Sequence, residues 1–66
     1  MVTPDDIGHL VEDNWGRVGI LRDVIDDYED PARFQRPYPR RVPTAFLRPE
    51  GGGREWLAPP DTVTRV

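Results

Sequence analysis

Apolar and polar positions are ordered most clearly in the last third of this chain. Two short runs rich in β-formers, Thr44-Ala-Phe-Leu-Arg48 and Arg54-Glu-Trp-Leu-Ala58, flank Pro49-Glu-Gly-Gly-Gly53. Glycines in that segment can take the positive φ values a tight reversal requires, so the pattern predicts a β-hairpin. Pro59-Pro60-Asp61 then enforces a stop, with a short turn or one turn of 3₁₀-helix before a final strand near Thr62 to Arg65. In the first half the pattern leaves two readings open. Thr3-Pro-Asp-Asp6 has the form of a helix start, with Thr3 as N-cap and Pro4 at the first helical position. Ile7, Leu10 and Val11, then Val18, Leu21, Ile25 and Tyr28, continue a helical spacing past Asn14-Trp15-Gly16, which would give a helical hairpin. Against it, Val18, Ile20 and Val24 fit a strand period, β-branched residues are frequent, and Gly8, Gly16 and Gly19 each weaken a helix by about 1 kcal/mol. Between the halves, residues 29 to 43 carry Pro31, Pro37, Pro39 and Pro43 among arginines, which predicts a long extended loop rather than a central strand or regular helix.

Size narrows these options. A chain of 66 residues forms one domain, residues 1 to 66, with one small core. Cysteine is absent, so stability has to come from packing, hydrogen bonds or a partner subunit. A buried cofactor cavity is not expected at this size, and no cofactor or metal is assigned. No apolar run approaches the roughly 20 residues of a membrane span, and the first residues lack the basic start and apolar stretch of a signal peptide. The expectation is a cytoplasmic protein without membrane contact.

Charge divides the chain. Residues 1 to 30 hold nine acids against Arg17 and Arg22, a net −7, whereas residues 31 to 66 hold seven arginines against Glu50, Glu55 and Asp61, a net +4. One reading is mutual attraction of the two parts on folding; the other is a basic surface kept available for an acidic partner.

The segments Gly16-Arg-Val-Gly-Ile-Leu-Arg-Asp-Val24, Phe46-Leu-Arg-Pro-Glu-Gly-Gly-Gly-Arg-Glu-Trp56 and Pro60-Asp-Thr-Val63 together resemble a group of short, uncharacterised actinobacterial proteins. The resemblance covers nearly the whole chain from Asp5 and is most specific between Leu47 and Trp56. It implies an all-β fold and a small SH3-like barrel of about five strands, and brings no activity with it, since the proteins it resembles are themselves of unknown function. The strands would run from about Ile7 to Glu12, Arg17 to Asp27, Val42 to Arg48, Arg54 to Ala58 and Thr62 to Arg65. The long Pro/Arg-rich loop between the second and third, where the group's pattern has a short turn, is peculiar to this chain. The implied core is Val11, Val18, Ile20, Val24, Leu47, Leu57 and Val63, with Ala45 where strands approach closely.

If the loop 49 to 53 closes the hairpin with Arg48 opposite Arg54, then Phe46 faces Trp56, and Phe46, Arg48, Arg54 and Trp56 share the face opposite Ala45, Leu47 and Leu57. An aromatic pair flanked by arginines has the composition of a binding hot spot. The same pair could instead cap the barrel interior, and a bulge would invert the register. A second candidate is the basic loop, where Arg33, Phe34, Arg36, Tyr38, Arg40 and Arg41 mix guanidinium groups with rings and could contact phosphates and unpaired bases. The acidic first half would repel nucleic acid at long range.

Other motifs carry less. Asp23, Asp26, Asp27, Glu29 and Asp30 lack the spacing and central glycine of a calcium loop. His9 is the single histidine and reads as structural. Glu50-Gly-Gly-Gly-Arg-Glu55 lacks the Gly-Lys-Ser/Thr ending of a phosphate cradle. With no serine and no cysteine, the minimal constellation for nucleophilic catalysis is missing, and enzyme activity is not expected. The resulting expectation is a protein-interaction or adaptor module whose partner is another protein or a second copy of itself. The alternative is a nucleic-acid-binding barrel using the arginine-rich loop, and a third reading is a dimer formed by exposed strand edges.

Overall fold

The computed structural model describes residues 1–29 and 41–66. Five antiparallel strands form one sheet: β1 (Leu10–Glu12), β2 (Val18–Glu29), β3 (Arg41–Arg48), β4 (Trp56–Ala58) and β5 (Thr64–Arg65), in the order β4-β3-β2-β1-β5. The chain is therefore all-β, and the helical hairpin does not form. Thr3 does cap a helical start: the Thr3 amide donates to Asp6 Oδ2 at 2.9 Å and the Asp5 amide to Thr3 Oγ1 at 3.3 Å. The helix is only a 3₁₀ turn, Pro4–Asp6. At Gly8, φ is +90° and the amide turns to the Leu21 carbonyl, so sheet pairing takes over at once. A second 3₁₀ turn, Pro60–Thr62, follows the proline stop as the sequence predicts.

The sheet is open but curled. Hydrogen-bonded ladders join its five strands in a row, and none among the described residues joins β4 to β5. Yet Pro59 to Val63, including a 3₁₀ turn, link these two outer strands. A flat sheet would hold them about 19 Å apart, and such a link reaches only about 17 Å when straight. The strands must bend round toward each other, and the concave side becomes the core: Val2, Val11, Leu21, Ala45, Leu47 and Val63, with Val24, Trp56 and Ala58 packed against it.

Two phase shifts separate this core from the expected one. The pairs Leu21↔Leu47 and Val24↔Ala45 show that a bulge after Leu21 brings Val24 onto the inner face with Leu21 and Gly19. Val18 and Ile20 consequently turn outward, Val18 being exposed, although they share a simple two-residue period with Val24. In the second hairpin the observed pairs are Ala45↔Ala58, Phe46↔Leu57 and Leu47↔Trp56. Phe46 does not face Trp56, because residues 49 to 55 all lie between the strands, with Gly52 at φ +93° and Gly53 at +124°. A one-residue slip exchanges the faces of a strand. Trp56 thus turns inward and Leu57 outward, 44% exposed. Val2, Leu21 and Trp56 take the core places expected of Val18, Ile20 and Leu57.

This register makes a direct prediction. Leu47→Ala should cost about 2–5 kcal/mol in urea denaturation, and Leu57→Ala under about 1 kcal/mol. Equal costs would restore the five-residue loop.

β2 continues to Glu29 and β3 begins at Arg41, so the strands take in both flanks of the segment expected as loop. Its middle, residues 30 to 40, lies outside the described residues. Pro43 is accommodated in β3 because it lies opposite the irregularity between Ile25 and Tyr28 and beyond the pairs made with β4, where no ladder needs its missing N–H.

Candidate functional site at the seam of the sheet

The seam between the curled ends is built from the β1–β2 turn. Asp-Asn-Trp-Gly is a turn sequence with an acid at its first position and a glycine at its last. The Asp13 amide donates to the Arg17 carbonyl at 2.9 Å, the Gly16 amide to the Asp13 carbonyl at 3.1 Å, and Gly16 has φ +80°. This reversal buries the Asp13 side chain and surrounds it with donors. Oδ1 accepts from the amides of Trp15 (2.9 Å) and Arg17 (2.8 Å), and Oδ2 accepts from Arg17 Nε (2.7 Å) and Trp56 Nε1 (3.0 Å). Burial alone would raise the acid's pKa, but the backbone and side-chain hydrogen bonds from Arg17, with that from the Trp15 amide, outweigh it and hold the carboxyl below its ordinary value.

The Trp56 bond also registers the curl. In a flat sheet β4 and β1 would lie about 14 Å apart, too far for side chains standing perpendicular to the sheet to meet. Arg17 lies over the Trp56 ring, with its guanidinium carbon 5.0 Å from the ring centroid. At the far edge of the ring is Gly19, where an added Cβ would come within 2.7 Å of Trp56 Cη2. Asp13, Arg17, Gly19 and Trp56 thus form one lock between the turn and β4.

Beside this lock opens a groove of about 180 Å³, lined on one side by Asp13, Asn14, Trp15 and Arg17 and on the other by Leu57, Ala58, Pro59 and Thr62. Trp15 stands at its lip, 80% exposed. A smaller cavity of about 140 Å³ lies on the outer face of β3, walled by Tyr28, Val42, Pro43, Thr44, Leu57, Ala58 and Pro59. It shares the end of β4 with the groove.

The four residues expected to make one aromatic and basic face are divided. Phe46 is on the outer face but only 8% exposed, with its ring edge-on to Tyr28 at 5.1 Å. Arg48 is outer and exposed, opposite Ile20. Arg54 lies in the loop after Gly53 and is exposed, and Trp56 belongs to the inner face and the seam. Of the basic-loop candidates, Arg41 opens β3 opposite Glu29, while Arg33, Phe34, Arg36, Tyr38 and Arg40 lie outside the described residues. The described ion pairs follow the charge division only in part. Arg65 meets Asp6 at 3.6 Å, as attraction between the halves requires, whereas Arg22 binds Glu55 in the opposite sense and Arg17–Asp13 lies within the first half. Among the described residues no three His, Cys, Asp or Glu side chains gather to hold a metal ion, and no helix is long and apolar enough to cross a membrane.

Asp13, Trp15 and Arg17 are the residues sequence reasoning left out of the site. The Asp-x-x-Gly turn signal was present, but Asn14-Trp15-Gly16 served only as a break between two patterns, and nothing local links Asp13 to Trp56.

Fold and site together define a curled, open five-stranded antiparallel sheet with an aromatic-lipped groove at its seam. No family model, no curated protein and no solved structure matches the chain.

Proposed function

We propose that this chain is a small cytosolic SH3-like barrel acting as a protein-interaction module, and that it holds a partner segment in the seam groove. The observation that carries this reading is Trp15: a tryptophan 80% exposed beside a groove whose near wall is fixed by the Asp13 hydrogen bonds. Tryptophan and arginine are enriched among residues that dominate binding energy, and a rigid wall lowers the ordering cost of docking. The barrel reading draws support from the five-strand antiparallel order and from the ends drawn together at Trp56 and Asp13. The role is one of binding rather than catalysis.

Self-pairing through sheet edges has less to work with. At the two outer strands, β4 has three residues and runs into Pro59 and Pro60, and β5 has two; edges this short resist pairing. The nucleic-acid alternative through Arg33, Arg36, Tyr38, Arg40 and Arg41 meets an excess of acids, since the chain holds twelve acids against nine arginines.

A displayed random-peptide library screened against the wild type and Trp15→Ala tests the reading. Because Trp15 is exposed, its removal should change stability by less than about 0.5 kcal/mol while weakening selected peptides by about 30-fold, the loss of one hot-spot residue. Peptides that bind the variant equally well would remove the groove as the site.

A further inference from the structure

Among the described residues two charged ones, Asp13 and Arg17, line the seam groove, and they are not equally open to a ligand. The Asp13 side chain is 1% exposed and both its oxygens are already shared among four donors. It has no remaining reach toward a cation. Arg17 is the opposite case: its side chain is 53% exposed, Nε is held by Asp13 and the guanidinium is laid over Trp56. Its two terminal nitrogens make no hydrogen bond among the described residues. A guanidinium fixed at Nε and at one flat face keeps the end that takes a carboxylate in a two-pronged bond, with little ordering cost left.

Resting on the interaction-module reading, we propose that the groove takes a glutamate side chain from an extended peptide segment, with its carboxylate on Arg17 and the apolar residue two positions away, on the same face of the segment, against Trp15, Leu57 and Pro59. Charge complementarity selects the acid, since the groove's accessible charge is positive. The volume of about 180 Å³ suits one side chain and the next one on the same face of the segment rather than a cofactor. A side chain is favoured over a chain end because the groove runs beside β4, the outermost strand on this side of the sheet, and lets a partner backbone continue past it.

The test is an amide and side-chain NMR titration of the full chain with the blocked peptide acetyl-Thr-Glu-Thr-Leu-Thr-amide, whose glutamate and leucine share one face when extended. Its counterparts carry glutamine or lysine in place of glutamate, and a further peptide, acetyl-Thr-Gln-Thr-Leu, keeps a free C-terminal carboxylate. The glutamate peptide should shift the Arg17 Nε–H, both indole N–H groups and the amides of Trp56 to Ala58 saturably. Glutamine should weaken binding about tenfold or more, as expected for loss of a charged hydrogen-bond partner, and lysine should abolish it. Arg17→Lys keeps the charge and the Asp13 contact but lacks the fork. It should also weaken the glutamate peptide while the dispersed indole signals report an intact fold.

Equal binding of glutamate and glutamine peptides, shifts confined to other surfaces, or no shifts at all would overturn the proposal. Preference for the free-acid peptide would overturn the side-chain assignment in favour of a chain terminus. The library screen separates the two levels: selected peptides that need Trp15 but carry no acid would leave the interaction reading standing and remove this one.

Discussion

Gly19→Ala is expected to destabilise the domain by about 3 kcal/mol, the upper part of the usual range for overpacking a close contact. A Cβ at this position would lie 2.5 Å from the Arg48 carbonyl oxygen and 2.7 Å from the far edge of the Trp56 ring. The carbonyl belongs to β3, the longest partner of β2, and cannot retreat without parting the central ladder. The indole cannot swing away without giving up its bond to Asp13. A domain of this size has on the order of 3–10 kcal/mol of total stability, so one methyl group removes a large share of it. In a thermal melt followed by circular dichroism the midpoint should fall by about 12–24 °C. Gly51→Ala supplies the control, because nothing lies within 4 Å of its added Cβ and its φ is ordinary. That variant should be neutral or slightly stabilising. A neutral Gly19→Ala would mean that Trp56 does not pack across β2, and the seam would lose its geometry.

Gly19 also shows where the sequence is hard to read. In a list of propensities it counts against a helix and weakly against a strand, and both effects are local. Its actual constraint is the approach of a tryptophan 37 residues later in the chain, and nothing within its own segment signals that approach. The strands themselves were legible, since β-branched runs, turn glycines and the Pro59-Pro60 stop are local features, and each expected strand has a counterpart. Faces were less legible than strands. The bulge after Leu21 and the long loop before Trp56 each shift the alternation by one residue. Period-two reasoning therefore exchanged Ile20 for Leu21 and Leu57 for Trp56.

The same slip explains the fate of the expected aromatic and basic face. Phe46 and Trp56 both lie in the second hairpin, but they end on opposite sides of the sheet. The exposed tryptophan at the groove is instead Trp15, held out by a turn whose Asp13 and Gly16 are conventional turn residues. Turn chemistry identified the place but not its neighbour, because the contact between Asp13 and Trp56 spans 43 positions and depends on the curl of the sheet.

Asp13→Asn is the second large effect expected, and its pH dependence distinguishes a charged lock from a merely well-packed one. Asparagine can keep one oxygen for the Trp15 and Arg17 amides, but its amide nitrogen then confronts Arg17 Nε–H and Trp56 Nε1–H, donor against donor. Leaving buried donors unpaired should cost about 2–4 kcal/mol at neutral pH. The folded-state pKa of Asp13 lies below its ordinary value, so the ionised carboxylate stabilises the fold. That contribution is fully present above the unfolded-state value, about 3.9, and is lost as pH falls through the lower folded-state value. Urea denaturation of both proteins from pH 7 down to pH 2 should therefore show the wild type approaching the variant as the solution becomes acidic, with most of the convergence below about pH 4. The Trp56 indole signal should shift over the same interval as its acceptor is protonated. A gap between the two proteins that stays constant across this range would show that the carboxylate charge does not hold the seam, and would leave packing of Trp56 on Gly19 as its main support.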